Sequence, residues 1–127
     1  MMNYLLIAIA GAFGAVARYG LSGLTHRMLG WGFPYGTFVV NILGCFVMGF
    51  IMKASLTTTL IPETWRIVIT IGFLGALTTF STFSYETIKL LEDGSYALAL
   101  TNIAANVILG IAATIAGAII SKLILGG

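Results

Sequence analysis

Four apolar runs, each about as long as a bilayer is thick and each carrying few charges, constrain this chain more than any other feature. They cover approximately residues 3–24, 36–53, 64–90 and 96–125. A hydrocarbon core of roughly 30 Å takes about 20 residues of helix to cross. Lipid offers no partner to backbone N–H and C=O groups, so each run is predicted to bond internally as a helix. Composition points the same way: 59% of the 127 residues are hydrophobic and 8% are charged, a surface that water would not keep dispersed. The expected fold is an all-α membrane protein, a single four-helix transmembrane domain over residues 1–127 with no room for an extramembrane domain. The first run lacks a basic n-region and a cleavage site before Arg18, so it is read as a retained helix rather than a signal peptide. Cys45 has no second cysteine to pair with and is expected to be a small packing residue. His26 and Cys45 fall in different segments, and no nucleophile–base or metal-ligand spacing appears, so an enzyme is not expected. Nor is a nucleic-acid partner.

One stretch breaks the pattern of ordinary lipid-facing residues. Gly72-Phe73-Leu74-Gly75-Ala76-Leu77-Thr78-Thr79-Phe80-Ser81-Thr82-Phe83 lies inside the third run. Glycine adds backbone freedom and clustered hydroxyls compete for backbone hydrogen bonds, so the third helix is predicted to break between about Gly75 and Thr79, near mid-membrane. Irregular backbone at that depth survives only against protein or a watery cavity. Carbonyls freed at the break have the chemistry to hold a cation, and a second half-helix starting near Thr79 would present hydroxyl caps and a positive dipole end. Phe80 and Phe83, three apart, share a side of that half-helix. They are either packing residues or ring edges, which are electropositive, lining the path of a small anion.

Other polar residues carry paired alternatives. Arg18 lies deep in the first run, as an interfacial anchor or facing a vestibule. Thr37 is expected to cap the second helix behind Pro34. Asn41 either bonds a neighbouring helix or faces an anion path, and Asn102 and Asn106, four apart on one helix face, form either interhelical bonds or a polar track. Glu86 is expected to pair with Lys89, with an aqueous vestibule as the alternative. With four spans, Lys53, Arg66 and Lys122 collect on one side and Arg18, Arg27 and Lys89 on the other. That balance gives the positive-inside rule no clear instruction, which permits insertion both ways round and, with it, antiparallel pairing of two copies. Four short helices enclose no wide route, which also points to an oligomer, a two-fold dimer being the commonest form.

Three motifs in order carry a resemblance. Gly11-Ala12-Phe13-Gly14-Ala15-Val16-Ala17-Arg18-Tyr19, Pro34-Tyr35-Gly36-Thr37-Phe38-Val39-Val40-Asn41-Ile42-Leu43-Gly44 and the Gly-rich run ending Thr78-Thr79-Phe80-Ser81-Thr82-Phe83 resemble the signatures of the Fluc, or CrcB-type, family of small fluoride channels. The resemblance covers essentially the whole chain. It implies a dual-topology antiparallel homodimer in the inner (plasma) membrane, exporting cytoplasmic fluoride passively through two pores. It also implies a central sodium ion held by backbone carbonyls, which fall here on Gly75 and Thr78. The implied anion pore falls on Asn41, Phe80, Phe83, Ser81, Thr82 and Asn106, with Arg18 at the vestibule. Two positions depart from the pattern: Ala76 replaces the second glycine of a pair, and Gly110 stands where a serine often contributes to the polar track. The rival from another class is a proton-coupled small multidrug exporter of four-helix dual-topology type, which needs an intramembrane carboxylate that changes protonation.

Overall fold

The computed structural model describes residues 1–126. Four helices long and apolar enough to cross a membrane account for nearly all of them: α1 Met2–Leu29, α2 Tyr35–Thr57, α3 Glu63–Glu92 and α4 Tyr96–Leu125. No strand occurs among the described residues. The connections are short, so consecutive helices run antiparallel and the chain is a multi-pass membrane protein.

The turn from α1 to α2 is built around a buried imidazole. Gly30 takes φ 91, a left-handed conformation open to glycine, and its N–H closes α1 on the His26 carbonyl at 2.8 Å. Gly36 donates its N–H to His26 Nε2 at 3.3 Å, so the ring proton sits on Nδ1, which donates to the Gly30 carbonyl at 3.0 Å. Trp31 stacks flat on the same ring, with centroids 3.9 Å apart. Pro34, not Thr37, occupies the N-cap of α2. Thr37 lies inside the first turn and is buried, because the rigid proline ring already sets the entry of the helix three residues earlier.

Glycines set how closely the helices approach, which in lipid decides packing in place of the hydrophobic effect. A side chain at Gly49 would strike the Thr114 carbonyl and one at Gly117 the Phe46 carbonyl, so α2 and α4 lie backbone to backbone. Gly14 of α1 lies equally close to the Phe73 carbonyl of α3. Gly20, by contrast, meets nothing within 4 Å. The small core, Val40, Leu74 and Leu77 with Ala17, Met48, Ile69 and Phe73 against it, sits where α1, α2 and α3 meet, beside the interruption of α3.

That interruption falls at Thr78 and Thr79. Residues 75–77 are still helical, then Thr78 (φ −85, ψ 158) and Thr79 (φ −152, ψ 117) are extended, and helix resumes over Phe80–Glu92. The turns just before it, Val68–Leu74, are of the wide π type. There the Thr70 hydroxyl donates to the Arg66 carbonyl at 2.7 Å, competing with the backbone for that acceptor. A second wide stretch, Ala105–Leu109, carries Asn106 in α4. Such turns reset the helical register and are found mostly where a helix does more than span.

Candidate functional site

The break is held open by one side chain from α2. Thr79 donates its N–H to Asn41 Oδ1 at 2.8 Å, and Asn41 Nδ2 donates back to the Thr79 carbonyl at 3.2 Å. An amide thus replaces the helical bonds that the extended residues give up, as irregular backbone at membrane depth requires. Thr79 then starts the second half-helix as its N-cap, its hydroxyl accepting from Thr82 N at 3.1 Å and donating to Thr82 Oγ1 at 3.0 Å. Ser81 Oγ lies 3.3 Å from the same hydroxyl.

These bonds leave two carbonyls without their helical donors. The N–H four residues beyond Gly75 belongs to Thr79 and goes to Asn41; the N–H four beyond Thr78 belongs to Thr82 and goes to the Thr79 hydroxyl. Among the described residues no other backbone N–H from beyond the break reaches either oxygen. Gly75 is exposed on the protomer surface and Thr78 is half-buried. Uncommitted carbonyls are hard oxygen donors suited to a small cation.

Beside the break lies a cavity of about 290 Å³, walled by Asn41, Gly44, Cys45, Thr78, Thr79, Phe80, Phe83, Asn106 and Thr114 among others. Phe80 and Phe83 meet there with centroids 5.5 Å apart and planes tilted by 52°. Phe83 is buried at 7% exposure, whereas Phe80 is 77% exposed. Gly44 makes room for the site, since a Cβ there would collide with the Thr78 methyl group. No charged side chain lines this cavity. Across the Thr79–Thr82 hydroxyls a larger, open hollow of about 750 Å³ is lined by Arg18, Arg27, His26, Thr37 and Glu86. Thr79 touches both.

The sequence-predicted residues therefore separate into two spaces that share Thr79 as a wall. Asn41, Phe80, Phe83, Asn106 and Thr78 line the inner cavity, and Arg18 and Thr82 line the vestibule. Ser81 is exposed beside them. Asn41 bridges helices and lines the cavity at once: both its N–H groups are taken, by the Thr79 carbonyl and by Asn106 Oδ1 at 3.0 Å. Asn106 Nδ2 is likewise directed to Asn102 Oδ1 and the Asn102 carbonyl, at 3.0 and 2.9 Å.

Two expectations change. Glu86 makes no ion pair with Lys89; the ion pair among the described residues is Arg66–Glu63, at 3.6 Å. Glu86 turns inward to the vestibule beside His26 and Thr37, and its Oε1 is buried without a hydrogen-bond partner, while Lys89 is exposed. Cys45 is on the cavity wall rather than in the core, its Sγ 3.5 Å from where a Cβ of Gly110 would be. Gly110 itself is buried, so α4 offers the cavity Asn106, Val107 and Thr114. Asn102 and Thr87 escaped prediction as a pair: Asn102 Nδ2 donates to Thr87 Oγ1 at 2.9 Å, and the Thr87 hydroxyl donates to the Phe83 carbonyl at 2.8 Å. The only trace in the sequence is that Thr87 lies four residues past Phe83.

The family model described as CrcB-like protein, Camphor Resistance (CrcB), matches residues 5–118. A protein of Geobacter metallireducens named fluoride-specific ion channel FluC is 54% identical over 114 residues, which is 90% of this chain and 92% of that one. Proteins of the same name from Pelobacter propionicus and Dehalococcoides mccartyi are 49% and 48% identical, covering 100% and 98% of this chain and 98% and 95% of theirs.

Proposed function

The chain belongs to the CrcB-like family, and on that premise we propose that it is a fluoride-specific ion channel of the plasma membrane, a transporter rather than an enzyme, letting cytoplasmic fluoride leave passively. The observation that supports this most is the uncharged cavity between Phe80, Phe83 and the Asn41–Asn106 amides, which shares the Thr79 wall with a vestibule bearing Arg18 and Thr82. Weak contacts in series suit conduction, because an ion must leave as readily as it enters. Arg18 and Arg27 raise the local anion concentration at the mouth. Ser81, exposed next to Thr82, extends the hydroxyl row.

The active form is an antiparallel homodimer with two pores. Phe80 stands too exposed in one protomer to wall a path alone, and a second copy would enclose it. Gly75 is exposed as well, and its freed carbonyl together with that of Thr78 would hold a sodium ion shared between copies. That ion would neutralise the carbonyl dipoles and hold the two breaks together.

Fluoride-loaded proteoliposomes test the proposal. The protein is expected to release fluoride far faster than protein-free vesicles, to exclude chloride, and to slow when sodium is replaced by a larger cation. Release of chloride at the same rate, or flux that requires a proton gradient, overturns the channel reading; the second result favours the proton-coupled exporter. Sodium-independent efflux removes the central cation and leaves the anion path standing.

A further inference from the structure

Four side chains on three helices form a chain of donors that all run one way. The backbone of Thr79 fixes its first member. Because that residue offers both an N–H and a carbonyl to the Asn41 amide, a flipped Asn41 would face donor with donor and acceptor with acceptor. Asn41 Nδ2 therefore needs an acceptor on its other side, and Asn106 Oδ1 supplies it. Asn106 must then offer Nδ2 to Asn102 Oδ1, and Asn102 must offer Nδ2 to Thr87 Oγ1. The Thr87 hydroxyl, accepting there, has its one hydrogen directed to the Phe83 carbonyl. The chain begins on the backbone at the break and ends on the backbone at Phe83, so α2 and α4 are tied to both ends of the segment that carries the two rings.

We propose that Thr87 and Asn102 are positioning residues of the anion path, setting through this one-way chain the orientation of the Asn106 and Asn41 amides and the backbone from Thr79 to Phe83. The proposal rests on the function given above. Neither residue lines the cavity or the vestibule, and they are 7% and 1% exposed, so any effect on flux reaches the path through other groups. Aligned donors polarise one another, which gives the chain more rigidity than its bonds taken singly. A threonine hydroxyl in a membrane helix commonly bonds the carbonyl four residues back with no further role. Thr87 differs in that its remaining acceptor capacity is taken by a buried amide. Thr101 makes the same local bond, to the Ala97 carbonyl at 2.8 Å, on an exposed face with no such amide.

The experiment compares Thr87→Val, Thr87→Ser and Thr101→Val by fluoride efflux and by NMR of protein labelled with ¹⁵N-asparagine. The chain contains only Asn3, Asn41, Asn102 and Asn106, so the side-chain amide signals are few enough to assign by substitution. Thr87→Val keeps the shape but strands the Asn102 amide. It is expected to slow efflux about tenfold, the usual scale for an unmet buried donor, and to move the Asn106 and Asn41 signals as well as that of Asn102. Thr87→Ser is expected to restore both readouts toward wild type, and Thr101→Val to change neither. The proposal is overturned if Thr87→Val conducts within about twofold of wild type, or if it slows efflux while the Asn41 signals stay in place, which is loss of packing alone. Wild-type vesicles are measured first: absence of efflux there defeats the fluoride reading, whereas the amide signals need no fluoride and decide the chain independently.

Discussion

Asn41 carries two burdens that pull a substitution in the same direction. Its carboxamide completes the backbone of Thr79 and lines the inner cavity. Asn41→Asp would remove both N–H donors and set a carboxylate against the Thr79 carbonyl and Asn106 Oδ1, while placing a negative charge on an anion's path. Fluoride efflux is expected to fall at least about tenfold, since a buried acceptor pair left facing each other costs roughly 1–3 kcal/mol. Full activity would take this side chain off the path. The rings invite a paired comparison, because Phe83 is buried and Phe80 is exposed within the protomer. Phe83→Ile and Phe80→Ile are each expected to slow efflux while cross-linked dimers still elute intact. Unchanged flux in both would leave the rings as packing. Asn41, Asn106 and the phenylalanines were legible in the sequence because a polar residue or a paired ring inside an apolar run is anomalous by itself. Thr87 and Cys45 were not: a lone threonine or cysteine in a helix is unremarkable until its distant neighbour is known, and Thr87 gains meaning only from Asn102, fifteen residues away across a turn.

Of the larger elements, the break in α3 shows where sequence reasoning stops. Glycines and hydroxyls marked residues 75–79 as unfit for continuous helix, yet the extended residues are Thr78 and Thr79 alone, and the helix runs through Gly75–Leu77. What moves the break to the hydroxylic end is tertiary: the Asn41 amide captures Thr79, and Gly44 leaves space for the Thr78 methyl. The wide turns of α3 and α4 had no signature at all, since each depends on bonds made within the folded segment. The Gly44–Thr78 contact gives a test with a built-in rescue. Gly44→Ala is expected to push Thr78 aside and destabilise the protein by about 1–3 kcal/mol, the usual cost of overpacking, with slowed efflux. Adding Thr78→Ser removes the methyl that collides and should recover most of the thermal midpoint and flux. A double variant no better than the single would place the strain elsewhere. Thr79→Ala isolates the cap: about 1 kcal/mol is expected to be lost, and Thr79→Ser should retain it, by thermal unfolding of the purified protein.

For the molecule as a whole, the question is what covers the apolar surface of one protomer. Phe13, Val16 and Tyr19 of α1 stand 67%, 72% and 86% exposed, and Phe80 of α3 77%. Lipid can cover the first three at no loss, but lipid against Phe80 and the Gly75 carbonyl would leave the path unwalled and a carbonyl unsatisfied. The inverted second copy proposed above, with its shared cation, would resolve both, and the charge balance of the loops permits it. Lys53, Arg66 and Lys122 offset Arg18, Arg27 and Lys89, so the positive-inside rule gives neither orientation an advantage. The proposed antiparallel pairing makes that balance something a substitution can tip. Two lysines placed in the loop at residues 58–61 should drive every copy into one orientation, and two placed at residues 31–33 should drive every copy into the other. Either variant expressed alone is expected to give C-terminal tags on a single membrane face and vesicles without fluoride efflux. Expressed together, they should restore tags on both faces and efflux with them. Efflux from a uniformly oriented variant would show that parallel copies or single protomers conduct, and the antiparallel dimer would have to be abandoned.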